Sequence, residues 1–152
     1  MLPKEIAPVL DAISEYATKY RRSEFPPFDI SDQLYGLFPS TLHSLETAPP
    51  YVWPAPYPFD QRAGVYLIFS DTLELLYVGK ASMGSCLGKR LYTYFHYAAG
   101  QPCTLKHSTW TQEPRHLLTV AVPEATPFEA PALEEFLIAR LHPSNNSVGR
   151  RK

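Results

Sequence analysis

Two tyrosines and a lysine lie close together in GVYLIFSDTLELLYVGKA, residues 64–81: Tyr66 within Gly64-Val65-Tyr66, Tyr77 within Tyr77-Val78-Gly79, and Lys80 directly after. Further on, Arg90 and Tyr94 are four residues apart, and Glu134 and Asn146 stand near the end of the chain. Phenols, cations and a carboxylate are the groups that phosphodiester hydrolysis uses. That reaction needs an activated water, cationic stabilisation of the charge that builds on phosphorus, and assistance to the departing oxygen. A carboxylate holding Mg2+ can supply the last two. A guanidinium such as that of Arg90 suits a non-bridging phosphate oxygen. The phenols are harder to enlist, because a free tyrosine has a pKa near ~10 and only about one percent is ionised at pH 8. Lowering that value by two units takes roughly 2.7 kcal/mol, which Lys80 or a metal-bound water would have to supply. Cross-strand aromatic packing is the plainer reading of an isolated hairpin, so the rest of the chain has to decide.

The elements that position these residues follow from periodicity. Val65, Leu67 and Phe69 alternate with Tyr66, Ile68 and Ser70, as in a strand with both faces largely buried. Leu75 to Gly79 is a second strand. A turn centred between Asp71 and Thr72 pairs residues whose numbers sum to 143, which sets Tyr66 directly opposite Tyr77. Ser85 to Ala98 reads as a helix that buries Leu87, Leu91, Tyr94 or Phe95, and Ala98, with Arg90 and Tyr94 as neighbours on one face. Residues 99–115 are polar and irregular, and Leu117 to Val122 is a third strand. Thr126-Pro127-Phe128-Glu129 has the form of a capping box, although Pro131 offers a second place for the helix to start. Leu133, Phe136, Leu137 and Leu141 form that helix's core face, and Pro143 ends it.

Ahead of this segment, Ile6, Val9, Leu10, Ile13, Tyr16 and Ala17 recur at helical spacing over residues 4–20. A weaker helical pattern runs from Ser31 to Phe38, with Ser31 as its cap. Residues 48–60, APPYVWPAPYPFD, hold five prolines and four aromatic residues and read as an extended connector. The chain therefore divides into an N-terminal helical extension with connector, 1–60, and a second domain, 61–152. Their charges differ. Four Lys/Arg against eight Asp/Glu give −4 in the first, and ten against seven give +3 in the second. Only the second has the sign a phosphate backbone prefers. The extension either completes the core through its apolar stripe or acts as an acidic cover that binds a protein partner or a second copy of the chain.

The motifs of the second domain, taken together and in order, resemble the GIY-YIG nuclease family. Gly64-Val65-Tyr66 resembles the first motif and Tyr77-Val78-Gly79-Lys80-Ala81 the second. KRLYTYF, residues 89–95, is similar to the family's arginine helix, and EEFLIARLHPSNN, residues 134–146, to its closing motif. The form is nearest to the nuclease domain of bacterial excision-repair endonucleases, over about residues 62–147, which connects the chain with DNA repair. The resemblance implies an α+β fold, with a small central three-stranded sheet flanked by helices. It also implies a metal-dependent endonuclease acting on nucleic acid, DNA first among candidates. Tyr66 would be the general base, and Tyr77 and Tyr94 would position water and phosphate. Lys80 would favour the phenolate, Arg90 would bind phosphate and Glu134 would hold Mg2+ or Mn2+. Asn146, or Asn145 in its place, would fix the end of the Glu134 helix. Glu135, about 100° around the helix, is read as a solvated charge. The chain departs from the family in its ASMGSCLGKR loop, in the lack of a helix between Gly100 and Glu113, and in its N-terminal 60 residues. The alternative is a non-catalytic nucleic-acid- or protein-binding module that keeps the fold.

Composition is consistent with a globular chain: 45% of residues are apolar and 19% charged. No apolar run approaches the roughly 20 residues of a membrane span, and the start of the chain has no signal-peptide core, so the expected location is cytoplasmic. Cys86 and Cys103 form no C-x-x-C pair, and the five histidines lack metal-ligand spacing. No helix-turn-helix or zinc finger accompanies the nuclease-like motifs, so sequence-specific recognition by this chain alone is not expected.

Overall fold

The computed structural model of the chain describes residues 2–37, 58–96, 104–105 and 110–147. A 3-10 turn at Lys4–Ile6 runs into α1 (Ala7–Lys19), followed by β1 (Asp29–Ile30), β2 (Tyr35–Gly36), β3 (Gly64–Phe69) and β4 (Leu75–Ala81). Then come α2 (Leu87–Tyr92), β5 (Phe95–His96), β6 (Thr104–Leu105), β7 (His116–Ala121) and α3 (Glu129–Leu141). The class is α+β. One antiparallel sheet has the order β1-β7-β3-β4, with β2 pairing the other half of β7, and β5 and β6 form a separate two-stranded ladder.

The main sheet has five strands where the sequence suggested three. Both extra strands come from the extension, and β2 lies where a helix was expected from Ser31 to Phe38, a span whose last residue is outside the described residues. The spacing of Leu34, Leu37 and Phe38 is helical, but β7 offers an open edge whose backbone groups need partners. Ser31 illustrates the outcome: its N–H donates to the Thr119 carbonyl at 2.9 Å, and its hydroxyl accepts from the Thr119 N–H at 3.2 Å. Leu37 donates its N–H to the Arg115 carbonyl and is fully buried. Of the connector, residues 48–57 lie outside the described residues.

Every residue of β3 is buried because both sheet faces are covered. On one face, Val65, Leu67, Phe69, Val78, Leu118 and Val120 pack against Ile6, Val9 and Ile13 of the N-terminal helical segment and Leu133, Leu137 and Ile138 of α3. On the other, Tyr66, Ile68, Ala81 and Leu117 meet Leu87 and Leu91 of α2 together with Leu37. Burying Ile6, Val9 and Ile13 contributes about 1.5–3 kcal/mol each, together comparable to the net stability of a small domain. The apolar stripe of the extension thus completes the core.

Its charges are also partly used within the fold. Asp29 accepts from Arg62 at 2.6 Å and Glu15 from Arg140 at 3.1 Å, both near the surface. A third pair is buried: Arg21 donates to Glu129 through Nε at 2.6 Å and Nη2 at 3.1 Å, with side chains only 5% and 6% exposed. The Thr126 hydroxyl adds a bond to the same carboxylate, and the guanidinium lies 4.1 Å from the Phe28 ring centroid. Regular helix starts at Glu129, with Pro131 inside its first turn, where a missing N–H costs nothing. The Glu129 side chain faces Arg21 and Thr126.

Burial raises the Glu129 pKa, but the bonds from Arg21 and Thr126 outweigh it and leave it below its ordinary value. The stabilisation is therefore present above the unfolded-state pKa and lost as pH falls through the lower folded-state value. Arg21→Ala should cost about 3–5 kcal/mol in urea denaturation of the full chain at neutral pH, because it strands a buried carboxylate. A loss under ~1 kcal/mol would contradict the clasp.

Candidate active site

The hairpin that carries both tyrosines is set by its turn. Ser70 donates its N–H to the Glu74 carbonyl, its hydroxyl accepts from the Glu74 N–H, and Leu73 adopts a left-handed φ of 63°. This turn is longer than two residues, and an irregularity follows between Ile68 and Phe69, so that Phe69 pairs with Leu75 while Ile68 pairs with Tyr77. Tyr66 consequently lies opposite Gly79, and the expected direct pairing with Tyr77 is corrected by two residues. A shift of two preserves the faces. The two phenols are diagonal neighbours with ring centroids 6.2 Å apart.

The register explains the glycines. A Cβ on Gly79 would overlap Cζ and Oη of Tyr66, so the ring lies directly over this residue. A Cβ on Gly64 would overlap the Val120 carbonyl on β7. Gly64 allows close approach of strands, and Gly79 makes room for a buried phenol.

Tyr94 closes the cluster. Its ring is 6.1 Å from Tyr66 and 5.9 Å from Tyr77, and the Tyr77 and Tyr94 hydroxyl oxygens are 3.3 Å apart. Tyr94 is not on the helix, as its spacing from Arg90 suggested. α2 stops at Tyr92, where the Thr93 hydroxyl bonds back to the Arg90 carbonyl at 2.6 Å and the chain turns toward β5. Trp110 packs edge-on against Tyr77 and Tyr94, at 5.9 and 6.4 Å. Trp110 lies inside the polar 99–115 stretch, where a lone tryptophan is the one sequence signal of its role.

Tyr66 is fully buried, and its Oη has no hydrogen-bond partner of good geometry among the described residues. Burial first, then Tyr94 and Tyr77, push its pKa far above the ordinary tyrosine value, and the Arg90 charge opposes this without reversing it. Tyr77 is raised as well, by burial, by Tyr94 and by the Glu134 charge, again against Arg90. Both are neutral hydroxyl donors at neutral pH.

Lys80 lies on the opposite face of β4 from Tyr77 and reaches the α3 side, where its Nζ is 3.9 Å from Glu134 Oε2. Burial raises the Glu134 pKa, while Lys80 and Arg90 lower it in part and Glu135 adds to the rise. Tyr77, Lys80, Glu134, Glu135, Asn145 and Asn146 border one open cleft of about 420 Å3. Glu135, read from sequence as solvated, is exposed but on this cleft wall. Asn146 sits beneath it: its Oδ1 accepts from the Val78 N–H and its Nδ2 donates to the Val78 carbonyl, both at 2.9 Å. Asn145 donates its N–H to the Leu76 carbonyl and takes a side-chain bond from Thr111 at 2.8 Å. The site thus wraps around the outer edge of β4, phenols on one face and the ion pair on the other.

No protein-family model matches this chain, and no curated protein matches it closely enough to indicate a relative. Among the described residues, no three His, Cys, Asp or Glu side chains converge on one point, and no helix is long and apolar enough to cross a membrane.

Gly79→Ala should force the Tyr66 ring out of place. A loss of about 1–3 kcal/mol in denaturant stability is expected, with a changed near-ultraviolet tyrosine signal. Stability and signal both equal to the parent protein would mean that the ring is not seated over Gly79.

Proposed function

We propose that the protein is a divalent-metal-dependent endonuclease of the GIY-YIG kind that hydrolyses phosphodiester bonds in nucleic acid, with DNA as the first candidate. The observation that carries this reading is the meeting of Lys80 and Glu134, from β4 and α3, on the same cleft that Tyr77 borders. Glu134 fits a metal role in kind: Mg2+ is commonly held by one or two carboxylates, with waters and substrate phosphate completing its shell. Its side chain is 20% exposed, so an ion has access. When bound, such an ion would neutralise phosphate charge and assist the departing oxygen.

The chain's own residues then divide the remaining work. Arg90 holds a non-bridging phosphate oxygen with its planar donors. Tyr77 and Tyr94, with hydroxyls 3.3 Å apart, orient water or phosphate from one side of β4. Tyr66 stands behind them with a buried hydroxyl that has no partner of good geometry among the described residues, a situation that costs about 1–3 kcal/mol unless a further ligand satisfies it. Taking a proton from Tyr66 or Tyr77 requires added positive charge beside it, because burial holds both protons in place in the resting protein. That same observation favours the second reading, a binding module that keeps the fold, in which the phenols only donate hydrogen bonds.

Glu134→Gln separates these. Cleavage of a labelled duplex should be abolished while binding stays within a few-fold. The melting temperature should hold or rise, since a carboxyl whose folded pKa is raised costs stability once ionised at neutral pH. Glu135→Gln should retain most cleavage and move the acid limb of activity to lower pH, because one source of the Glu134 shift is removed. Reversed behaviour of the two variants would reassign the metal-holding carboxylate.

Arg90→Ala should lower the cleavage rate by ~100-fold or more, the scale for one preorganised donor. Arg90→Lys should restore part of it, a point charge being unable to reproduce the fork. Full activity in Arg90→Ala would remove Arg90 from the site.

A further inference from the structure

The connection from β4 to α2 breaks a local rule. Ser85 donates its N–H to the Ser82 carbonyl, and the two residues between them have positive φ, 52° at Met83 and 86° at Gly84. Two positive φ values mark a type I′ turn, whose first central position favours Asn, Asp or Gly. A methionine there costs roughly 1–2 kcal/mol in left-handed backbone. Nothing offsets it: Met83 is 81% exposed, more than any other large apolar side chain among the described residues. Strain without a folding return points to use by a ligand.

The charge around the turn indicates which ligand. From Leu75 to Arg90 the chain has no Asp or Glu, yet it carries Lys80, Lys89 and Arg90. Lys89 and Arg90 have no ion-pair partner among the described residues. Met83 is three residues beyond Lys80, within about 11 Å of it by chain length. Tyr92, at the end of α2, is also exposed, at 52%. An apolar tip on a segment with two cations unpaired among the described residues, Lys89 and Arg90, suits a polyanion with apolar faces between its charges, which describes stacked bases on a phosphate backbone.

We propose that Met83 is a wedge that enters a base step beside the site, so that the substrate is a duplex with a locally unstacked step, such as a mismatch. The assignment rests on the proposed site being a nucleic-acid site. Intact duplex must be unstacked at a cost of a few kcal/mol per step, whereas a mismatched step is partly open beforehand. Met83 therefore selects substrate, and the phosphate contacts supply the sequence-independent affinity.

The test uses the full chain in EDTA with duplexes carrying 2-aminopurine at the target step, matched or mismatched. Binding should raise the fluorescence several-fold, and the mismatched duplex should bind about 10-fold tighter, a fraction of the unstacking cost. Met83→Ala should lose both effects and keep affinity for matched duplex within a few-fold, and Met83→Leu should restore them. An unchanged fluorescence in the parent protein, absence of binding, or a Met83→Ala variant that behaves like the parent would overturn the wedge, whether or not the protein cuts DNA. A fluorescence response without any metal-dependent cleavage would support the wedge and overturn the nuclease reading.

Discussion

At the outer edge of β4 the Asn146 carboxamide pairs with both backbone groups of Val78 as a neighbouring strand would, next to the backbone bonds of Ser144 and Asn145 to Leu75 and Leu76. An edge strand must have its backbone satisfied or be open to other chains. Here the chain that leaves α3 turns at His142, with φ 52°, and lies along β4 through Asn145 and Asn146. The same contact fixes the end of α3 against the sheet. Glu134 sits two turns before the end of α3, so its approach to Lys80 depends on how that end is held. Removing the amide would leave the segment after α3 tied to β4 only by the backbone bonds of Ser144 and Asn145 to Leu75 and Leu76.

Both sides of the site share this dependence. The α3 face supplies a carboxylate and a lysine, and the α2 face supplies three mutually packed phenols, joined only through β4. Small residues make that compactness available: Gly79 lets Tyr66 lie flat against the strand, and Gly64 lets β3 and β7 close up. The electrostatics follow from the packing. The burial that seals Tyr66 also keeps it protonated, and the same exclusion of solvent lifts Glu134, against two cations, above the ordinary carboxylate range.

Much of this was legible in the sequence, and the failures have physical causes. The two long strands, β7 and both long helices were marked by apolar periodicity, which burial on two faces imposes. Tyr66, Tyr77 and Tyr94 were marked by the motifs that carry the family resemblance, and the structure brings them into one cluster; it likewise brings Lys80 to Glu134 and Asn146 to β4. The hairpin register was not legible, because the turn is built on the Ser70 hydroxyl and a left-handed Leu73, with no glycine to announce it. Residues 31–37 have a helix-like spacing yet form no helix, and Tyr35–Gly36 pair with β7 instead, since the open edge of β7 is a tertiary fact. Trp110 lay within a polar segment and shows its role only when Tyr77 and Tyr94 are placed beside it.

The central claim is that the edge of β4 assembles a metal-dependent hydrolytic site, and its most direct measurement is a Mg2+ titration of supercoiled plasmid with the parent protein. The account predicts nicked circles that accumulate with Mg2+, saturate as the ion rises, and are absent in EDTA although the plasmid remains bound. Retarded but uncut plasmid at every concentration of Mg2+ and Mn2+ would contradict it and leave the cleft as a binding surface.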